Sequence, residues 1–364
     1  MNNKLRITFI IPFTYFTGGI AIVLEYYRQL TVMGHEVNVI YPLFPYNEYL
    51  GKPPAWKKVL RKLNIFRSNI KNNMRAISLF GEDIPVKPVV RISNASIPDA
   101  DAVIATAWPT AYDVAKLSVK KGRKFYLVQG YEIWYGSTEP VDNSYRLPLD
   151  LITVSPYLTE LMKEKFNRSD VTEIHNGIRL DRFYPPAYKN FDTGSILLLA
   201  SDLELKGTKD AIDALTIVKE RYPHAAIKMF GLCTKPDAPF DYEYYEDPTY
   251  KTLLSLYQEA AIFIFPSHGE GWGITPMEAM ACKCAVVGTN VGCIPTLNNG
   301  ENLILVDAKT PSSIANGVIK LLGDKELMER IAEQGLMRIK EQAWTKSTQA
   351  LTNCLLTTNK LQRL

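Results

Sequence analysis

The sequence predicts an α/β protein of two similar domains, each a parallel sheet covered by helices on both faces. Three observations carry the prediction. At 364 residues the chain is too long for one ordinary core. Short, wholly apolar runs such as Ile196-Leu197-Leu198-Leu199-Ala200 recur between stretches of helical periodicity, and strands without polar alternation belong in sheets buried on both sides. At Pro266 to Ala281 an apolar run, a Gly-rich turn and a helix follow one another without a gap.

Taken in order, Arg6 to Pro12 is the first strand, followed by a loop containing Gly18-Gly19 and a helical pattern to Met33. Paired glycines commonly serve a tight turn. Glu36 to Tyr41 reads as the second strand, and Val103 to Thr106, Phe125 to Val128, Leu151 to Val154 and Val171 to Ile174 continue the sheet. Pro185-Pro186 stiffens the exit from residues 1–186, the first predicted domain. The second, residues 187–345, opens at Ser195 and continues through strands at Ala226 to Phe230, Ile262 to Phe265, Ala285 to Gly288 and Leu303 to Val306. Asp237 to Asp247, acidic and Tyr-rich, reads as an exposed loop, and residues 346–364 form a C-terminal tail.

Composition narrows the class. With 46% hydrophobic and 22% charged residues the chain reads as a soluble globular protein. No apolar segment reaches the ~20 residues that span a bilayer, and the start Met1-Asn2-Asn3-Lys4 precedes too short an apolar run for a signal peptide, so a cytoplasmic protein is expected. Five cysteines, an odd number in a chain this large, read as buried thiols rather than disulfides or a zinc site.

Charge is unevenly divided. Residues 1–186 carry +7 and the rest −3, which suits the first domain to an acceptor that bears phosphate or sits in an anionic membrane. Residues 52–75 hold eight basic residues and no acidic one, interleaved at helical spacing with Trp56, Val59, Leu60, Leu63, Ile65, Phe66 and Ile70. Such a helix either lies on an anionic membrane surface or is a solvated basic face; no nucleic-acid-binding motif accompanies it, and a nucleic-acid partner is not expected.

The chemistry is placed at the Gly-rich turn. Thr275 fits the N-cap of the following helix, Pro276 its first position, and Glu278 the acceptor three residues on. Backbone N–H groups of Gly271, Trp272, Gly273, Ile274 and Thr275 then converge at the positive end of the helix, where a phosphate or diphosphate is favoured. Glu270 and Glu278 flank that spot, and a carboxylate there needs hydroxyl or cationic partners. On the residues alone, Glu278 reads equally as a capping-box side chain.

The string Glu270-Gly271-Trp272-Gly273-Ile274-Thr275-Pro276-Met277-Glu278-Ala279-Met280-Ala281 resembles the E-x7-E motif of retaining GT-B glycosyltransferases, family 4. Asn176-Gly177-Ile178-Arg179 through Phe183-Tyr184-Pro185 is similar to a second signature of that family, with Arg179 in place of its aspartate, and Lys206-Gly207 to a third. The resemblance implies two Rossmann-like domains facing across a cleft, a tail crossing back to the first, and transfer of a sugar from a nucleotide-diphosphate sugar to a glycan or lipid-linked acceptor in cell-surface polysaccharide synthesis. It implies that Glu278 holds the ribose, that Glu270 lies against the donor sugar, that Gly18-Gly19 closes over the donor phosphates, and that no metal or other cofactor is needed. Glu270 and Lys206 are the catalytic candidates, with Lys206 and the helix dipole neutralising the diphosphate.

Two departures stand out. The family's arginine near Ser201 is absent, and Gln129 occupies the place of a histidine, so that position cannot titrate. Gln129 and Tyr131 are the candidates on the acceptor or sugar side, in the segment Tyr126 to Glu132 that resembles the Gln-Asp-Tyr-Glu element of certain bacterial rhamnosyltransferases. The departures motivate an alternative, a catalytically inactive sugar-nucleotide or glycan-binding protein of the same fold. A nicotinamide dehydrogenase is disfavoured because no G-x-G-x-x-G follows the first strand. Asp99-Ala100-Asp101 matches a metal-binding D-x-D pattern, but reads as a solvated loop.

Overall fold

The computed structural model describes residues 4–46, 55–72, 75–133 and 138–361, and the chain forms two compact units, Met1–His175 with Thr345–Leu364, and Asn176–Trp344. The first unit runs β1 (Arg6–Ile10), α1 (Gly18–Val32), β2 (Glu36–Pro42), α2 (Ala55–Asn72), β3 (Ala76–Leu79), β4 (Glu82–Pro85), β5 (Lys87–Val89), β6 (Ala102–Ala105), α3 (Trp108–Ala115), β7 (Arg123–Val128), α4 (Thr138–Ser144), β8 (Asp150–Thr153), α5 (Pro156–Phe166) and β9 (Val171–Glu173). The second runs β10 (Ile196–Ala200), α6 (Thr208–Arg221), β11 (Ile227–Gly231), β12 (Glu243–Glu246), α7 (Tyr250–Glu259), β13 (Ile262–Phe265), α8 (Thr275–Ala281), β14 (Ala285–Thr289), α9 (Ile294–Leu297), β15 (Ile304–Val306), α10 (Pro311–Gly323) and α11 (Lys325–Lys340), after which α12 (Trp344–Leu361) supplies the last stretch of the first unit.

Both sheets are parallel, in the orders β5-β2-β1-β6-β7-β8-β9 and β12-β11-β10-β13-β14-β15. Each is a Rossmann-like arrangement whose order reverses beside its first strand, between β1 and β6 and between β10 and β13, the point where such sheets bind ligands at their carboxyl ends. The central strands are apolar throughout because helices cover both faces: in β13 all of Ile262-Phe263-Ile264-Phe265 is buried, and in β10 Leu198 meets Ile264 in register. Helix starts carry their own side-chain caps, as where Thr17 accepts from Ile20 N–H at 3.3 Å and Asp324 from Leu327 N–H at 2.9 Å.

The expected strands are present with ends shifted by a residue or two. Other parts of the fold differ from the reading of the sequence, beginning with β5, an unexpected strand that pairs with β2 at the edge of the first sheet. An antiparallel hairpin, β3 with β4, follows the basic helix. The acidic Tyr-rich segment is not merely a loop, since Glu243–Glu246 adds to the edge of the second sheet and Tyr244 hydroxyl bonds back to Cys233 carbonyl. Residues 176–186 belong with the second unit, where Ile178 N–H donates to Gln342 carbonyl at 2.9 Å. A Cβ on Gly177 would lie 2.5 Å from the backbone of Trp344, so only glycine permits this approach. All five cysteines are free thiols.

Candidate active site

Because β10 and β13 are neighbours, the loops leaving their carboxyl ends lie side by side. Their contact is backbone to backbone: Gly207 has φ +67°, and a Cβ there would sit 2.1 Å from Pro266 carbonyl oxygen. His268 N–H donates to Leu205 carbonyl at 2.8 Å, and the His268 ring pairs with Asp210 at the start of α6. This clamp brings together two candidate residues that are 64 apart in sequence. Lys206 Nζ lies 2.7 Å from Glu270 Oε1, to which Ser267 Oγ also donates at 3.0 Å, while Thr289 Oγ1 donates at 2.6 Å to Ser267 carbonyl. The carboxylate next to the anion-binding turn thus has its cation. The pair is sheltered yet reachable, the side chains being 26% and 11% exposed, so the ion pair is stronger than a surface one and its lysine remains within reach of a ligand.

Beyond Glu270 the backbone turns through Gly273, and the N–H groups of Gly271, Gly273, Ile274 and Thr275 have no hydrogen-bond partner among the described residues. Four orphan donors beside an ammonium group have the chemistry to bind an anion. The loop is held from beneath by Trp272, which is buried, donates its indole N–H to Met277 Sδ at 3.0 Å, and offers only its backbone to a ligand. The helix start differs from expectation. Ile274 occupies the cap position, no side chain caps α8, and Thr275 is already its first residue.

Glu278 does not serve as a capping-box side chain. It is buried, and its Oε2 accepts from Tyr257 hydroxyl at 2.8 Å. Burial pushes its carboxyl up to about 7 against the downward pull of that hydrogen bond, and burial also pushes the Tyr257 phenol up. A carboxyl held this way, close to neutrality, accepts hydrogen bonds from hydroxyls far better than it tolerates standing alone. At the place of the absent arginine, Ser201 shapes the β10 loop: its N–H donates to Thr208 Oγ1 at 2.9 Å and its hydroxyl accepts from Leu203 N–H at 3.2 Å. Arg179 is buried and bidentate with Asp181 at 2.8 and 2.6 Å, away from this cluster in role.

In the first unit Gly18 and Gly19 are not a free turn but the first residues of α1, capped by Thr17. Gly19 abuts the Gln129 amide, which a Cβ would meet at 3.5 Å, and Gln129 Nε2 donates to Thr106 carbonyl at 3.2 Å. Tyr131 is committed elsewhere, its hydroxyl donating to Asp142 at 2.7 Å and receiving from Lys165. The reading of the sequence passed over Glu132, whose Oε2 accepts from Trp108 N–H at 3.4 Å and whose carboxyl burial pushes up to about 8. The signal for it was its place at the end of the segment Tyr126 to Glu132, whose resemblance to the Gln-Asp-Tyr-Glu element carried no role for the glutamate. Asp99 and Asp101 lie at the amino ends of the strands: Asp99 pairs with Lys121 at 2.8 Å, and Asp101 accepts from Arg6 N–H at 2.8 Å.

The chain is similar to known glycosyltransferases. Residues 183–337 match the family model described as "Glycosyl transferases group 1". The capsular polysaccharide biosynthesis glycosyltransferase CapM of Staphylococcus aureus is 24% identical over 305 residues, covering 75% of this chain and 76% of CapM. Among solved structures, sucrose-phosphate synthase from Thermosynechococcus elongatus superposes with a TM-score of 0.70 at 14% identity, over 99% of this chain and 100% of that one. Anabaena HepE, solved in complex with UDP and glucose, gives 0.70 at 14% identity over 97% and 100%. The fold is GT-B, two Rossmann-like domains.

Proposed function

We propose that the protein is a retaining glycosyltransferase of family 4 that moves a hexosyl group from a nucleotide-diphosphate sugar to a glycan or lipid-linked acceptor, in cell-surface polysaccharide synthesis. The observation that carries this reading is the cluster at the β10 and β13 carboxyl ends: Lys206 against Glu270, four unpartnered N–H groups, and the buried Glu278, all inside or beside the matched residues 183–337. Lys206 and the amides stabilise the departing diphosphate, and Glu270 holds the donor sugar and offsets positive charge on it. Glu278 receives the ribose hydroxyls. CapM's role in capsule synthesis supports the assignment to surface polysaccharide.

The reaction is proposed to need no divalent metal, because the diphosphate has a lysine and oriented amides, and Asp99 and Asp101 are engaged by Lys121 and Arg6 at the opposite ends of the strands. Attack from the leaving-group face accounts for retention without an enzymic nucleophile.

The protein is further proposed to act at the inner face of an anionic membrane. On α2, Trp56, Val59, Leu60 and Leu63 fall on one stripe and are 62%, 59%, 51% and 39% exposed, and the helix contains no acidic residue. They do not pack into the unit's own core. Phe66, stacked on Phe44 at 4.0 Å, ties the far end of the stripe back to the unit. Lys52 lies outside the described residues, as do the side chains of Lys58, Arg61 and Lys71.

The test is thermal stabilisation by UDP, GDP and dTDP, followed by turnover of the sugar nucleotide that matches. Stabilisation by one of them, lost in Glu278→Ala, is expected. Stabilisation without transfer or hydrolysis would favour the inactive binding protein; no stabilisation would defeat the assignment.

A further inference from the structure

We propose that Glu132 is the acceptor-binding carboxyl of this enzyme, receiving a hydroxyl of the sugar acceptor at the carboxyl end of the first unit's sheet. The inference rests on the transferase reading above and adds the residue by which the first unit takes hold of its substrate.

The placement comes from topology. β6 and β7 are neighbours, so the segment after β7 that carries Gln129 and Glu132 lies beside the start of α3, which follows β6. Gln129 reaches across to Thr106 carbonyl and abuts Gly19 at the start of α1, while Glu132 reaches Trp108 N–H. The three segments that leave β1, β6 and β7 therefore meet around these two side chains, at the point where the sheet order reverses.

Glu132 has less than its surroundings require for a structural role. Its one hydrogen bond, from Trp108 N–H at 3.4 Å, is at the long edge of what counts as one, and no lysine, arginine or histidine pairs with it among the described residues. Glu132 is not the only side chain serving the start of α3, since Thr110 Oγ1 accepts from both Thr106 N–H and Ala107 N–H at 3.1 Å and leaves Glu132 the N–H of Trp108 alone. A carboxylate recruited to cap a helix is drawn below its ordinary range; here burial dominates and holds the group up to about 8. The titratable group facing it is Tyr145, whose buried phenol is itself raised and donates to Gly130 carbonyl. A second polar group nearby is unsatisfied: Trp108 Nε1 is buried without a partner among the described residues. A carboxyl with a single long hydrogen bond and a buried donor with no partner among the described residues, on adjoining segments, cost stability until a hydroxyl-bearing ligand arrives. A sugar, dense in groups that both donate and accept, fits that pair.

The experiment compares wild type, Glu132→Gln and Glu132→Leu. Donor hydrolysis without acceptor is read on the panel of UDP-, GDP- and dTDP-sugars, transfer on octyl glycosides of glucose, galactose, N-acetylglucosamine and rhamnose, and melting temperature by calorimetry. In Glu132→Leu, acceptor kcat/KM should fall about tenfold to a hundredfold through KM, with donor hydrolysis unchanged and the melting temperature equal or higher. Glu132→Gln, which keeps the shape and hydrogen-bonding capacity of the neutral acid, should recover most of the loss below pH 8, and the acceptor KM of wild type should change above that pH while that of Glu132→Gln does not. Unchanged transfer in both variants, or a lowered melting temperature with hydrolysis and transfer falling together, would overturn the proposal and leave Glu132 as a structural residue. A wild type that neither hydrolyses nor transfers any of these donors, and that none of them stabilises, would defeat the transferase reading itself and take the acceptor site with it.

Discussion

Changing Lys57, Lys58, Arg61 and Lys62 together to Gln should release the protein from anionic membranes. The magnitude follows from α2. Each basic residue near an anionic surface contributes about 1 kcal/mol, so four of them supply about 4 kcal/mol. The apolar stripe adds to this: the exposed fractions of Trp56, Val59, Leu60 and Leu63 amount to about two whole side chains, each worth about 1.5–3 kcal/mol on complete burial and less at the shallow depth of an interfacial helix. The charge and apolar parts are thus of similar size, and removing either should weaken binding strongly. Co-sedimentation with vesicles rich in phosphatidylglycerol or phosphatidylserine should capture the wild type and release it in high salt, because charges at the surface are screened. The charge variant should bind those vesicles on the order of a thousandfold more weakly, and Trp56→Ser with Leu60→Ser should lose the residual, salt-resistant binding. The far-ultraviolet spectrum and melting temperature of Trp56→Ser with Leu60→Ser should match wild type, since these two side chains are exposed. Equal binding by wild type and charge variant, or none by either, would refute the reasoning and make a soluble acceptor the better assignment.

In the second unit, Glu270→Ala and Lys206→Ala should each lower kcat by about tenfold or more with a smaller effect on donor affinity, whereas Glu278→Ala should raise donor KM first; steady-state kinetics with the stabilising sugar nucleotide separates these patterns, and wild-type values in all three would contradict the site. Transfer should survive a chelator, and loss of activity restored by magnesium or manganese and abolished by Asp101→Ala would instead give the D-x-D pair a metal. Burial raises Glu278 from its ordinary 4.5 to about 7, so the folded protein keeps a proton that the unfolded chain gives up. Its stability therefore falls as pH rises from 4.5 to about 7, by roughly 3 kcal/mol in total. Glu278→Gln should flatten that part of the melting-temperature profile, and parallel profiles would show that the carboxyl titrates normally.

The strands were legible because burial on both faces of a parallel sheet demands unbroken apolar runs, and Ile262–Phe265 or Ile196–Ala200 can satisfy little else. The loop after β13 was legible for a related reason, since its glycines and Pro276 announce a strand-to-helix turn whatever the ligand. Edge elements were not. Glu243–Glu246 has the composition of a solvated loop, and it pairs as a strand because only one of its sides meets the sheet, leaving its glutamates in solvent. Pairings distant in sequence were equally hidden. Glu270 required a cation, but nothing in its neighbourhood along the chain named Lys206, which Gly207 brings close through a backbone contact that any side chain would block. Glu278 shows the reverse case, where a local pattern predicts a local partner and the fold supplies another. At the fourth residue of a helix its spacing suits a capping box, yet α8 is buried on the side where its carboxyl lies, and Tyr257 from α7 reaches that side first. Glu132 belongs with it: a glutamate a few residues past a strand is ordinary by sequence, and it becomes a candidate only when the structure shows its carboxyl beside the start of α3 with a single long hydrogen bond, from Trp108 N–H. Residues that the fold does not need, in places where the fold charges for them, mark where function has been added to the scaffold.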